Sequence, residues 1–222
     1  MKHRRHLFIA TPSHSGEVCC EYTKSLIETL PFLVQHGVAF THSFIMHNAI
    51  IQDARNRLVG WFMASEATDM LFIDADISWE PEAALRLAIS PHDVIGGAYR
   101  QKREDAEMYN ASGLKPGGAR LIECDFLGTG FLKISRRAIE KLTAAHQDTK
   151  YQDDDGHPCY GLFDVQIGGG TIIGEDALFC RRWRATGGKV FLDPDMTLYH
   201  IGAKAYRGNF AELIARAEKK VA

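Results

Sequence analysis

Two aspartates one residue apart, Asp74 and Asp76, stand at the end of the apolar run Met70-Leu71-Phe72-Ile73-Asp74-Ala75-Asp76-Ile77. Read as one continuous strand, the run turns both carboxylates to the same side, because strand side chains alternate faces. A buried strand that ends in paired carboxylates puts hard oxygen ligands at the rim of an open α/β sheet, where such sheets bind their ligands. The chemistry this suits is the holding of a divalent cation together with a phosphate.

Three further groups of residues bear on that chemistry. Glu175-Asp176 follows the glycine-rich stretch Gly168 to Gly174 and opens an apolar segment. An acid there caps a helix, but a flexible glycine loop in front of it also lets backbone approach a ligand closely, and the two roles can coexist. His200, in Leu198-Tyr199-His200, lies beyond the last expected sheet strand, whereas the other nine histidines show no ligand spacing. An isolated histidine is as readily structural, yet imidazole added to carboxylate and phosphate oxygens suits Mn²⁺ better than Mg²⁺. Asp193-Pro194-Asp195 reads as a turn. Asp153-Asp154-Asp155-Gly156 lacks the closing glutamate of a calcium loop and reads as a solvated loop.

Parallel strands joined by crossover helices must position these groups, because short apolar runs alternate with segments of helical period. Leu7 to Thr11 is the first strand, with the loop Thr11 to Gly16 at its carboxyl end. A helix over Val18 to Gln35 and the strand Val38 to Met46 follow. Asn48 can cap a helix over Ala49 to Ser65, with Ile50, Ala54, Leu58 and Phe62 on its apolar face and Asp53, Arg55, Asn56 and Arg57 on the other. Pro81 starts the next helix, and Asp93 to Gly97 is a strand. Phe126 to Ile134 reads as a strand through Gly128-Thr129-Gly130, and Arg136 to His146 as an amphipathic helix. A helix from Glu175 to Gly187, a strand over Lys189 to Leu192 and a final helix ending near Lys220 complete the chain. The loops Gly113 to Gly118 and Gly168 to Gly170 suit a mobile lid.

With 222 residues, 45% hydrophobic and 24% charged, the composition is that of one ordinary globular domain. The halves divide into 1–100, nucleotide-sized, and 101–222, carrying the later acids. A net charge of −2 predicts no broad nucleic-acid footprint, and Arg181, Arg182 and Arg184 read as a solvated helix face. Five cysteines without metal-like spacing indicate free thiols. The basic start is followed by too short an apolar run for a signal peptide, and no segment is long enough to span a bilayer, so the expected location is cytoplasmic.

In order and spacing, Ala54-Arg55-Asn56, Phe72-Ile73-Asp74-Ala75-Asp76, Gly128-Thr129-Gly130-Phe131, Gly174-Glu175-Asp176 and Tyr199-His200-Ile201-Gly202 resemble the nucleotide-sugar glycosyltransferases of GT-A fold. The likeness is to the small family-2-like and Anp1-like forms of bacteria and viruses, and it covers nearly the whole chain. It implies a Rossmann-like, mixed but mostly parallel sheet flanked by helices, and transfer of a sugar from a UDP- or GDP-linked donor to a carbohydrate or other hydroxyl acceptor. By the same resemblance Thr11 and Pro12 border the base, Arg55 lies on the donor side, and Gly128 and Gly130 line the sugar pocket. Asp74, Asp76 and His200 form the Mn²⁺ (or Mg²⁺) group, with Asp74 on ribose or a metal-bound water. Asp176, with Glu175 beside it, matches the base of inverting members. A Gln-x-x-Arg-Trp element is missing, which argues against a processive synthase and leaves the stereochemistry open.

Three other readings use the same acids. A phosphatase of the haloacid-dehalogenase type would take Asp74 as nucleophile and Asp76 as acid, but it sets its acids near the chain start. A nucleotidyltransferase would need a glycine-rich triphosphate loop near Thr11. A non-catalytic nucleotide-sugar binding module would be indifferent to loss of Asp176.

Overall fold

A computed structural model describes residues 5–115 and 120–221. The basic residues 1–4 and positions 116–118 of the first glycine-rich loop lie outside the described residues. The strands are β1 (His6–Ser13), β2 (Ala39–Met46), β3 (Asp69–Ile73), β4 (Ile77–Trp79), β5 (Val94–Gly96), β6 (Ala111–Ser112), β7 (Ile122–Cys124) and β8 (Phe126–Leu127). They continue with β9 (Phe131–Ser135), β10 (Lys150–Gln152), β11 (Pro158–Tyr160), β12 (Gln166–Gly168), β13 (Thr171–Ile173), β14 (Val190–Leu192), β15 (Thr197–Ile201) and β16 (Ala205–Asn209). The helices are α1 (Cys20–Gln35), α2 (Ile51–Ala64), α3 (Pro81–Ile89), α4 (Arg136–Ala145), α5 (Glu175–Ala185) and α6 (Phe210–Val221).

Seven strands form the main sheet in the order β2-β1-β3-β9-β5-β14-β7, so both halves of the sequence share it. β9 runs against β3 and β5, and β7 against β14, while the others point the same way. Strand alternation divides the core in two. Phe8, Ala10, Met70 and Phe72 face one side with Leu58 and Phe62 of α2, Ile139 of α4 and Phe179 of α5. Leu7, Ile9, Leu71 and Ile73 face the other with Tyr22 and Leu33 of α1 and Leu87 of α3. Buried on both faces, β3 therefore reads as an unbroken apolar run.

β3 does not continue to Asp76. Its last cross-strand contact is the Asp74 N–H to the Gly130 carbonyl at 3.0 Å, after which Ile77 N–H bonds the Asp74 carbonyl at 3.0 Å. The two aspartates thus occupy a turn between β3 and β4, and strand alternation does not set their directions. β4 leaves the main sheet for a smaller one of order β16-β15-β4. The expected strand through Gly128-Thr129-Gly130 is likewise two strands, β8 and β9, with the glycines between them.

The polar side of α2 is covered in part. Arg55 and Asn56 are buried, because α2 packs between the sheet and the β10–β11 hairpin with the segment after it. Asn56 exchanges two hydrogen bonds with the backbone of Phe163, at 2.8 and 2.9 Å, and fixes that segment. Arg182, half-buried, donates to the carbonyls of Gly161 and Leu162 from the other side. Gly168 to Gly170 forms the tip of the hairpin β12–β13, with Gly169 and Gly170 at φ of 59° and 76°. All five cysteines are free, and among the described residues no helix is long and apolar enough to cross a membrane.

Candidate active site

A cleft of about 510 Å³ opens at the carboxyl ends of β1 and β3. Pro12, Ser13, His14, Glu17 and Cys19 form one wall, and Arg55, Asp74 and Asp76 the other. The end of β1 runs two residues further than expected, so Thr11 stays inside the sheet: its hydroxyl is fully buried, 2.6 Å from the Tyr22 hydroxyl. Pro12 reaches the cleft and Thr11 does not.

Arg55 ties the two acid motifs together. Its Nη2 donates to Asp74 Oδ1 at 2.9 Å, and its Nε lies 3.6 Å from Glu175 Oε1. The guanidinium side chain is only 4% exposed. Burial works against its charge, but Asp74 and Glu175 more than restore it. Nε and Nη1 nevertheless have no hydrogen-bond acceptor, a costly arrangement for a buried donor.

Asp76 sits half-exposed beside His200. Antiparallel pairing of β15 with β4 sets His200 opposite Ile77, and the Ile201 N–H bonds the Asp76 carbonyl at 2.7 Å. That register carries the imidazole to the turn. His200 Nδ1–H donates to the Arg100 carbonyl at 2.9 Å, which leaves Nε2 turned to Asp76 Oδ2 at 3.6 Å. A ligating histidine is held in this way by a carbonyl behind it. Burial would raise the Asp76 carboxyl, but the neighbouring His200 imidazole and the hydrogen bond from Lys102 outweigh it and hold the group at about 2. Asp74 is turned to Arg55 and does not complete a three-residue cluster with Asp76 and His200.

Glu175 and Asp176 form the first turn of α5. Glu175 is taken by Arg55, whereas Asp176 has no ion-pair partner among the described residues; its Oδ1 accepts from the Ala177 N–H at 2.8 Å. Burial lifts the Asp176 carboxyl above the ordinary carboxylate range, and the charge of Glu175 adds to the rise. Neither acid lines the cleft wall directly; Glu175 connects to it through Arg55.

Gly128 and Gly130 are buried behind the acids rather than open to the cleft. A Cβ on Gly130 would stand 2.7 Å from Tyr99 Cζ and 2.8 Å from Asp74 Oδ2, and one on Gly128 would stand 2.8 Å from the Tyr99 hydroxyl. These glycines let Tyr99 pack under Asp74. Tyr99 and Lys102 were not distinguishable in the sequence, where no motif marks either one.

Among the described residues, Asp153, Asp155 and His157 also offer ligand atoms within 4.8 Å of one another. The Asp153 carboxylate is already engaged, accepting from the N–H groups of Asp155 and His157 and from Trp61 Nε1. With Arg57 Nε 3.9 Å away as well, the group locks a turn. Asp193-Pro194-Asp195 is a turn too, with buried Asp193 paired to Arg86.

No family model matches the chain, and no curated protein matches its sequence. Among solved structures, the crystal structure of A197 from STIV gives a TM-score of 0.55 at 18% identity, over 89% of this chain and 86% of that one. The chain has the GT-A fold. A Drosophila beta-1,4-galactosyltransferase 7 mutant, in complex with manganese, UDP-Gal and xylobiose, gives 0.49 at 14% identity over 96% and 73% of the two chains. A glycosyltransferase involved in glycosylation of the major capsid of PBCV-1 gives 0.34 at 10% identity over 60% and 62%. At such identities the likeness is one of fold, and the chemistry rests on the site's own residues.

Proposed function

We propose that this chain is a metal-dependent glycosyltransferase that moves a sugar from a nucleoside-diphosphate donor to an acceptor hydroxyl. The observation that carries the reading is Arg55, buried at 4% exposure on the cleft wall with two nitrogens lacking acceptors. A diphosphate beside Asp74 would supply the missing oxygens, and charge-assisted hydrogen bonds to phosphate are among the stronger ones. The carboxylate of Asp76 and the fixed imidazole of His200 suit a Mn²⁺-like cation. A cation held by these two residues would supply Lewis-acid neutralisation of charge on the diphosphate.

The remaining steps belong to side chains of the chain itself. Pro12 and the residues after it would border the base, and Asp74, paired to Arg55 on the same wall, would contact ribose or a water on the cation. Arg55 holds Glu175 and leaves Asp176 free. Asp176, its proton affinity raised by burial, takes the proton of the acceptor hydroxyl as oxygen bonds to the anomeric carbon on the face opposite the leaving diphosphate. That assignment makes the enzyme inverting, with Asp176 as base and Glu175 as its support.

Incubation with a panel of UDP- and GDP-sugars tests the reading. Mn²⁺-dependent release of nucleoside diphosphate is expected from the unaltered protein and lost in Asp76→Asn. Inactivity with every donor, together with no donor-dependent shift in melting temperature, overturns it. Release of pyrophosphate from a nucleoside triphosphate would point to a nucleotidyltransferase instead.

A further inference from the structure

Lys102 belongs to none of the sequence motifs, yet its Nζ donates to Asp76 Oδ2 at 2.6 Å. This is the same oxygen that His200 Nε2 approaches at 3.6 Å. One segment supplies both contacts, since the Arg100 carbonyl orients the imidazole and Lys102 follows two residues later. The segment is tied at its base by the Arg100–Tyr109 bridge and by the Gln101 N–H to the Met108 carbonyl at 2.8 Å. Gly202 keeps the lane clear: a Cβ there would lie 3.1 Å from Lys102 Cδ and 3.5 Å from Cε. The lysine stem thus passes close over the backbone of the glycine after Tyr199-His200-Ile201 on its way to the carboxylate.

We infer that Lys102 is a tethered cation that competes with the divalent metal for Asp76 Oδ2, so that metal entry requires displacement of the ammonium. An ammonium hydrogen-bonded to that oxygen and a metal ion bonded to it cannot share the position, because their charges repel at such range. The lysine remains covalently attached after displacement, next to where a diphosphate would bring negative charge. Metal and nucleotide binding are thereby coupled: the diphosphate gives the displaced ammonium a new partner, and each ligand favours the other. The inference rests on the reading of Asp76 and His200 as metal ligands.

The test is a titration with Mn²⁺ alone, followed by the electron paramagnetic resonance of the free ion, and then repeated with UDP and with GDP. Lys102→Met is expected to bind Mn²⁺ about fivefold tighter than the unaltered protein, the upper range for an ion pair between partly exposed groups. It should also gain less from added nucleotide. Gly202→Ala should shift affinity in the same direction by a smaller factor, and Asp76→Asn should weaken it. Unchanged Mn²⁺ affinity in Lys102→Met, with Asp76→Asn still weakened, overturns the competition and leaves the metal site standing. If Asp76→Asn is unchanged as well, the metal assignment fails and the competition fails with it.

Discussion

Replacing Arg55 by methionine keeps much of the side-chain volume and removes the cation that pairs with both Asp74 and Glu175. Both carboxylates would then face each other across a cavity wall without a counterion. Breaking a buried ion pair by deleting one partner costs about 3–5 kcal/mol. Asp74 and Glu175 are 25% and 19% exposed and can draw in water, which places the expected loss at the lower end, about 3 kcal/mol. For a domain of this size that is a fall in melting temperature of about 6–12 °C. The assay is thermal unfolding at pH 7, without nucleotide and with saturating UDP or GDP. The unaltered protein should be stabilised by nucleotide, and Arg55→Met should lose both the basal stability and most of that increment. A melting temperature within a degree of the unaltered protein would refute the argument, because it would mean that the guanidinium is not the counterion of these acids.

Three other outcomes follow from the geometry. Since burial and Glu175 raise the Asp176 carboxyl, the acid limb of kcat/KM against pH should lie above the ordinary carboxylate range, and Glu175→Gln should move it to lower pH. A raised carboxyl means that folding favours the protonated form and that the ionised form costs stability above the folded-state value; Asp176→Asn should therefore raise the melting temperature at pH 7 while lowering turnover about 10²–10⁴-fold. Gly130→Ala, whose Cβ would meet Tyr99 and Asp74, should destabilise by about 1–3 kcal/mol through overpacking and weaken nucleotide binding, read by unfolding and calorimetry; unchanged values in both would show that Tyr99 does not pack against this backbone.

The order of strands and helices was legible because β1 and β3 are buried on both faces and interrupted by helices of clear period. Turn chemistry was less so. Asp74 and Asp76 look like the continuation of an apolar strand, but the hydrogen bond between Asp74 and Ile77 makes them a turn, and Ile77 is apolar because it belongs to a second sheet. The helical period puts Arg55 and Asn56 on the polar stripe of α2, opposite its apolar face, and says nothing of whether that stripe is covered. What buries them is the segment near Phe163, which is remote in sequence, and periodicity carries no information about such a cover. His200 was placed by resemblance to a family, since an isolated histidine has no spacing to read. Lys102 carried no signal at all: its partner is set by the register of β15 on β4 and by room over Gly202.

That register has a consequence for how the protein becomes active. The imidazole arrives only when the late hairpin β15–β16 closes on β4, and Phe210, at the start of the last helix, must find its place in the core. Closure over so long a stretch of chain is entropically slow compared with local structure. A newly made molecule can therefore complete much of its sheet before His200 stands beside Asp76, and the proposed activity should appear last during refolding, after the bulk of the helical signal has returned.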